Sequence, residues 1–254
     1  MPEISRHAIV ESSAELADDV YVGPFAYIGP KVRLGAGCVI DVGATVTGQT
    51  TLGAKCHVFP MAVIGVAEDS QQEGRCALGQ ANRIREHVTL CGGVERPTIL
   101  GDDNLVMIGC RVGPEAVVGS HCILSNYTQI DGGAMIEDYV GTSAFTFVAS
   151  GMMVGAYTYV VGFTGIDDHT PPYAMVQGFP FRVRGVNSEK LRRCGFGEED
   201  IRALKDAFRQ LFHETGAAVD TKTLKRLSAK ANLNSHVRRL IEAVQHHGER
   251  RREP

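Results

Sequence analysis

Residues 21–58 read YVGPFAYIGPKVRLGAGCVIDVGATVTGQTTLGAKCHV, and every sixth residue of this stretch is aliphatic: Val22, Ile28, Leu34, Ile40, Val46, Leu52 and Val58. The series extends back through Leu16, Val10 and Ile4 and forward to Ile64, so eleven successive positions carry no exception. It breaks across 65–77, returns at Leu78, Ile84 and Leu90, and slips by four residues over CGGVERPTI. From Leu100 to Ile166 it runs again, with Thr142 its only polar member. A period of six is neither the 3.6 of a helix nor the 2 of a half-buried strand; it is the period of a hexapeptide β-helix. Each hexad is a short strand and a turn, and three hexads close one triangular coil whose aliphatic residue points inward. The chain is therefore mainly β, a parallel β-helix of about eight coils over residues 1–170, with loops expected at 66–77 and 91–99. Insertions of this kind either carry function or decorate the surface.

Glycine is abundant, 29 of 254 residues, and often directly follows the inward position, as at Gly35, Gly53, Gly101 and Gly113. Turns there call for compact or positive-φ residues. Residues 139–166 run without a charge but contain five glycines and repeated Ser, Thr and Tyr, which suits an uncharged wall of the solenoid better than a membrane span. A formal net charge of −3 gives no reason to expect nucleic acid as a partner. Seven cysteines without a CxxC pair indicate neither a zinc knuckle nor a disulfide framework, and the N-terminus lacks a signal-peptide pattern. A reducing, cytoplasmic setting follows as the expectation, with no transmembrane segment.

After Asp167-Asp168-His169-Thr170 the sixfold register stops. Residues 171–186 read as a connecting segment and 187–254 as a small C-terminal α-helical domain. Asn187-Ser188 opens a short helix, broken at Gly195 and Gly197. Ile201, Leu204, Phe208, Leu211 and Phe212 share one helix face; Leu233, Val237, Leu240, Ile241 and Val244 share another. The tail from Glu249 to Pro254 reads as a frayed, solvated end.

The prism with its early loop is accompanied by several specific segments. These are Asn82-Arg83-Ile84-Arg85-Glu86, Gly101-Asp102-Asp103-Asn104-Leu105-Val106-Met107, Pro171-Pro172-Tyr173, Gln177-Gly178, Gly185-Val186-Asn187 and Leu191-Arg192-Arg193. Together they resemble the UDP-N-acetylglucosamine O-acyltransferase (LpxA) family of lipid A synthesis, over nearly the whole chain. The resemblance implies a left-handed β-helix and a homotrimer with active sites between neighbouring prisms. It also implies transfer of a 3-hydroxyacyl group from acyl carrier protein to the 3-hydroxyl of a UDP-sugar, chemistry that needs no cofactor.

That transfer requires a group to take the sugar hydroxyl proton, and histidine suits neutral pH best. Aligned on the family, the catalytic histidine falls at Pro114, its acidic neighbour at Glu115, and a second histidine at Arg111. Gly133, Ala149 and Cys91 likewise stand at family histidine positions. Glu115 is the candidate catalytic base, with Asp131 one coil on; the alternative is an ordinary solvated turn glutamate. The resemblance gives substrate-binding roles to Asp69 in the first loop and to Asn187 and Glu189 for the nucleotide. Arg192 or Arg193 would replace a phosphate-gripping arginine that here is Cys194. Gly162 matches a glycine that leaves room for the acyl chain.

No column of three imidazoles suggests a metal site. His57, His87 and His121 read as surface or interface residues and His169 as a loop anchor. Cys91 and Cys110 read as small buried hydrophobes rather than nucleophiles. Arg182, Arg184, Lys190, Arg192 and Arg193 form either a docking surface for an acidic carrier or a solvated charged face. Two functions follow: an LpxA-like acyltransferase with altered catalytic residues, or a catalytically inactive trimeric paralogue that binds a nucleotide sugar, acyl carrier protein or another protein.

Overall fold

The structure, a computed structural model, describes residues 1–69, 71–212, 221–229 and 233–250. Two-residue strands, each ending on the sixfold aliphatic position, stack in register into three parallel sheets that form the faces of a prism. Face A starts at Glu3–Ile4, face B at Ile9–Val10 and face C at Glu15–Leu16. Each strand pairs with the one a full coil later, as Tyr21 with Val39 and Val39 with His57. The inward residues form a continuous core; Val22, Ile28, Ile40, Val58 and Ile84 are fully buried. The first coil is the exception: the inward Ile4 is 43% exposed, and Val10 and Leu16 are half-buried.

Face A carries nine strands before the chain leaves the prism, so there are nine coils rather than about eight. Parts of both expected loops are ladder: Arg75–Leu78 pairs with Gln49–Leu52, and Thr98–Leu100 pairs with Cys76, Ala77 and Leu78. The loops themselves span 66–74 and 91–97.

The turns separate two demands that the sequence reading merged. Left-handed backbone falls three residues after the inward position and is mostly occupied by non-glycine residues, including Phe25, His87, Glu115, Tyr127 and Phe145. The glycine directly after the inward position serves close approach instead. A Cβ on Gly53 would sit 2.7 Å from the carbonyl carbon of Gly79, and one on Gly113 would sit 2.6 Å from the amide nitrogen of Gly132. Only a residue without a side chain lets successive coils close to that distance.

Inside the corner where face C turns into face A, Asn82 is fully buried. Its Nδ2 donates to the carbonyls of Gly79 (3.0 Å) and Gly101 (2.7 Å), while its Oδ1 accepts from the Asn104 amide (3.0 Å). Asn104 repeats the motif by accepting from the Cys122 amide at 2.7 Å. These side chains tie the carbonyl and amide groups of adjacent turns where the strand ladder is interrupted.

Residues 171–186 are not a plain connector. Ala174–Gly178 adds a tenth parallel rung to face A, and Phe181–Val186 returns antiparallel to it. Helix α1, Ser188–Arg193, is capped by Asn187. Helix α2, Glu198–Leu211, buries Ile201, Leu204, Ala207, Phe208 and Leu211. Helix α3, Thr221–Ser228, has too short an apolar stripe to be read from periodicity; α4, Ser235–Arg250, buries Val237, Leu240, Ile241 and Val244. Glu249 and Arg250 of the tail thus belong to α4, and 251–254 lie outside the described residues.

Replacing Asn82 by Ala strands the Gly101 carbonyl and the Asn104 amide in the interior, while the Gly79 carbonyl keeps the Cys56 thiol. At about 1–3 kcal/mol for a buried group left unpaired, the urea midpoint of Asn82→Ala should fall clearly, with the total loss near 3 kcal/mol. A midpoint within error of the parent would show that the ladder is dispensable.

Candidate functional site

Both inserted loops leave the prism at the corner between faces B and C, and the same corner carries Glu115, Gly133 and Gly151 in three successive coils. Convergence on one edge makes this the candidate site. Arg111, on face B, reaches Glu68 of the first loop in an ion pair and lies 3.9 Å from Asp131 of the next coil. Asp69 is exposed and turned into its own loop, accepting from the Gln71 amide at 3.0 Å.

Glu115 meets the second loop. Its Oε1 accepts from the backbone amides of Glu95 (3.0 Å) and Arg96 (3.4 Å), and the Arg96 guanidinium approaches Oε2 at 3.5 Å. The Glu95 amide first, then the Arg96 amide and guanidinium, hold its carboxyl below the ordinary glutamate range. A general base working near neutrality needs the opposite shift. Pro114 contributes only its carbonyl, which accepts from Gly133 at 2.9 Å. Above it the corner is bare: no atom lies within 4 Å of where a side chain would begin at Gly133 or Gly151.

Among the described residues, no imidazole replaces the missing one at this corner. His57 lies on face A, where Nε2 is 2.8 Å from Asp41 and the ring stacks on Phe59 at 3.8 Å. His121 stacks on Tyr139 at the corner between faces C and A, 4.7 Å between ring centres, and His87 sits at the corner between A and B. His169 anchors its loop: Nδ1 accepts from the Met153 amide at 3.0 Å. Among the described residues, no three His, Cys, Asp or Glu side chains group to hold a metal. No helix among them is long and apolar enough to cross a membrane.

Six cysteines are buried and Cys194 is half-buried. Burial pushes Cys110 up to about 11 and Cys76 and Cys122 up to about 12. Cys91 is also raised by burial, with the Arg111 guanidinium opposing. These thiols are therefore poor nucleophiles.

The residues expected to hold a nucleotide are engaged within the chain. Asn187 caps α1 and donates to the Tyr157 carbonyl at 2.8 Å. Glu189 pairs with Arg193 at 3.0 Å, and Arg192 with Glu198 at 2.6 Å. Lys190 lies over the Tyr139 ring at 5.6 Å, and Arg182 and Arg184 are exposed, as are the paired Arg192 and Arg193. At Gly162 an added methyl would meet the Ala144 carbonyl oxygen at 3.2 Å, so the lower coil comes close beneath it. Sequence reasoning missed the two clamps, Arg111 to Glu68 and Glu115 to 95–96. Nothing in the spacing of a loop reports which way it folds back.

Residues 170–252 match the family model described as UDP-N-acetylglucosamine O-acyltransferase, domain 2, and residues 13–48 match the bacterial transferase hexapeptide repeat. A solved UDP-N-acetylglucosamine acyltransferase from Francisella novicida is similar at 25% identity, with a TM-score of 0.88 over 95% of this chain and 91% of that one. LpxA from Acinetobacter baumannii is 28% identical, with a TM-score of 0.87 over 96% of each chain. LpxA from Bacteroides fragilis is 28% identical, with a TM-score of 0.88 over 95% of this chain and 96% of its own. The prism and the helical end thus match together, in the left-handed β-helix that the resemblance implied.

Two measurements follow. A thiol reagent at pH 8 should titrate one of the seven cysteines quickly in the native protein, Cys194, and the remainder only on unfolding; several fast thiols would contradict the burial. Because the folded-state pKa of Glu115 is lowered, its hold on the second loop is present above the ordinary glutamate value of about 4.3 and is lost as pH falls through the lowered one. Glu115→Gln should therefore speed amide exchange across 91–97 at pH 7, and the difference from the parent should shrink in acid. Equal exchange at pH 7 would show that the carboxylate does not hold the loop.

Proposed function

We propose that this chain, whose C-terminal third matches the UDP-N-acetylglucosamine O-acyltransferase domain model, is an LpxA-like acyltransferase with altered catalytic residues. It would transfer a 3-hydroxyacyl group from acyl carrier protein to a UDP-N-acetylglucosamine-type nucleotide sugar, in lipid A biosynthesis. In this reading it is a cytoplasmic homotrimer with its clefts between neighbouring prisms. The observation that carries the reading is the joint match of prism and C-terminal domain to acyltransferases across about the full length of both chains.

In the reaction the sugar oxygen attacks the thioester carbonyl, the new C–O bond forms as the C–S bond breaks, and the carrier thiol departs with the proton. General-base assistance is worth about 10²–10⁴-fold, and Glu115 and Asp131 are the carboxylates at the corner. Asp69 would hold the sugar, Gly162 would border the acyl chain, and Asn187, Glu189, Arg192 and Arg193 would serve the nucleotide once their present partners release them.

One observation favours a second reading, that of a catalytically inactive trimeric paralogue binding a nucleotide sugar, acyl carrier protein or another protein. The Glu115 carboxylate is already committed to the second loop and is a weak base there.

Purified protein given 3-hydroxyacyl carrier protein and UDP-N-acetylglucosamine, or its 3-amino analogue, should release free carrier thiol together with acylated sugar. No turnover with either acceptor would leave the inactive paralogue. In that event Pro114→His is the substitution expected to create measurable transfer. If turnover does occur, Glu115→Gln should lower kcat at least 100-fold, and an unchanged rate would clear Glu115 of the role.

A further inference from the structure

The first loop leaves face B after Ile64 and returns to face C at Arg75, in the fourth coil of the prism. Its stem is firmly tied. The Val66 carbonyl accepts from the Gly92 amide at 2.9 Å, and the Gly74 carbonyl accepts from the Gln49 amide at 2.9 Å. Glu73 accepts from Lys31 (2.8 Å) and from Gln49 (2.9 Å), both on coils below the loop. The tip, 67–72, is held differently. Asp69 closes the loop on itself, taking the Gln71 amide at 3.0 Å and the Gln72 side-chain amide at 3.4 Å. Among the described residues, the tip makes one polar contact with the prism, the ion pair from Glu68 to Arg111.

Arg111 stands two coils higher, on the sixth strand of face B. Its other terminal nitrogen lies 3.9 Å from Asp131 of the next coil. A guanidinium presents donors on two sides, so Asp131 can steady Arg111 against the wall while Glu68 takes the opposite side. On the coil between loop and pair lies Cys91, which is buried. Its thiol senses both partners: burial raises it, the Arg111 guanidinium lowers it and the Glu68 carboxylate raises it.

We propose that Arg111 is a positioning residue for the acceptor: by holding Glu68 it carries the adjoining Asp69 from the coil where the loop is rooted up to the coil of Pro114 and Glu115. The inference rests on the proposed function, in which Asp69 holds the sugar, and adds what brings Asp69 to the corner. The side chains are 33% exposed at Arg111 and 55% at Glu68, so the pair contributes little to the stability of the prism. It acts instead on a segment with no second polar tie to the wall, and its effect falls on where the tip rests. Opening the pair frees Asp69 and uncovers Cys91 together.

Two readouts on the full chain test this: the Kd for UDP-N-acetylglucosamine by titration calorimetry, and the rate at which a thiol reagent labels Cys91, followed by peptide mass. Arg111→Gln should weaken binding about 5-fold, the upper end for an exposed pair, and should turn Cys91 from a slow thiol into a fast one, with the circular dichroism of the parent. Glu68→Gln should do the same. Joining the two substitutions should add little, because both remove one contact; a general loss of stability would instead accumulate. Arg111→Lys keeps the charge and should retain most of the affinity. Where the thiol-release assay shows turnover, the loss in Arg111→Gln should fall on KM for the sugar and not on kcat. Fast labelling of Cys91 with parental affinity would overturn the positioning role and leave the acyltransferase reading standing. Parental labelling in both single variants would overturn the tether itself. A parent with no affinity for UDP-N-acetylglucosamine would overturn the acceptor of the proposed function, and the positioning role with it.

Discussion

Everything in this molecule depends on the distance between one coil and the next. Parallel strands of two residues can hold only a few hydrogen bonds each, so the prism exists because nine coils repeat them in register and bury one aliphatic side chain at every hexad. That repetition requires backbones to approach closely at the turns, and Gly53 and Gly113 meet the requirement by having nothing to place between them. The buried amides of Asn82 and Asn104 then bind adjacent turns where strand pairing lapses. Hydrophobic burial supplies the driving force, but the spacing decides that it can be collected by a stack of coils.

The fold was legible because its inward residues recur at one interval. Val22 to Val58 disclose the prism without reference to any other protein, and Ile201, Leu204 and Phe208 disclose α2 by helical spacing. Residues 174–186 were not legible as a hairpin, since Met175 and Val183 fit no period that distinguishes strands from a connector. The glycines were found, but the reason for them was only half visible. Left-handed backbone lies two residues farther on, at positions held by Phe25, His87 or Tyr127.

The candidate site was legible in a different way. The absence of an imidazole at 111, 114 and 133 could be read from alignment with the family, and the structure brings those positions to one corner beside both loops. What Glu115 and Arg111 do there could not be read, because each reaches a loop residue about 20 or more positions away whose direction no local pattern sets. In this column of outward positions, Glu115 and Arg111 each clamp an inserted loop. Such a change costs the prism little, since outward corner residues take no part in the buried core.

The two ends of the prism are unlike, and the difference gives the molecule a polarity. At one end the tenth rung, its returning strand and the helices seal the stack; at the other, the inward Ile4 remains open to water. In a solenoid each repeat is stabilised only by its neighbours, so cooperativity decays along the axis instead of being shared by the whole. Thermal opening therefore has a preferred direction, advancing inward from the first coil, and the coils bearing the candidate site lie toward the end that opens last.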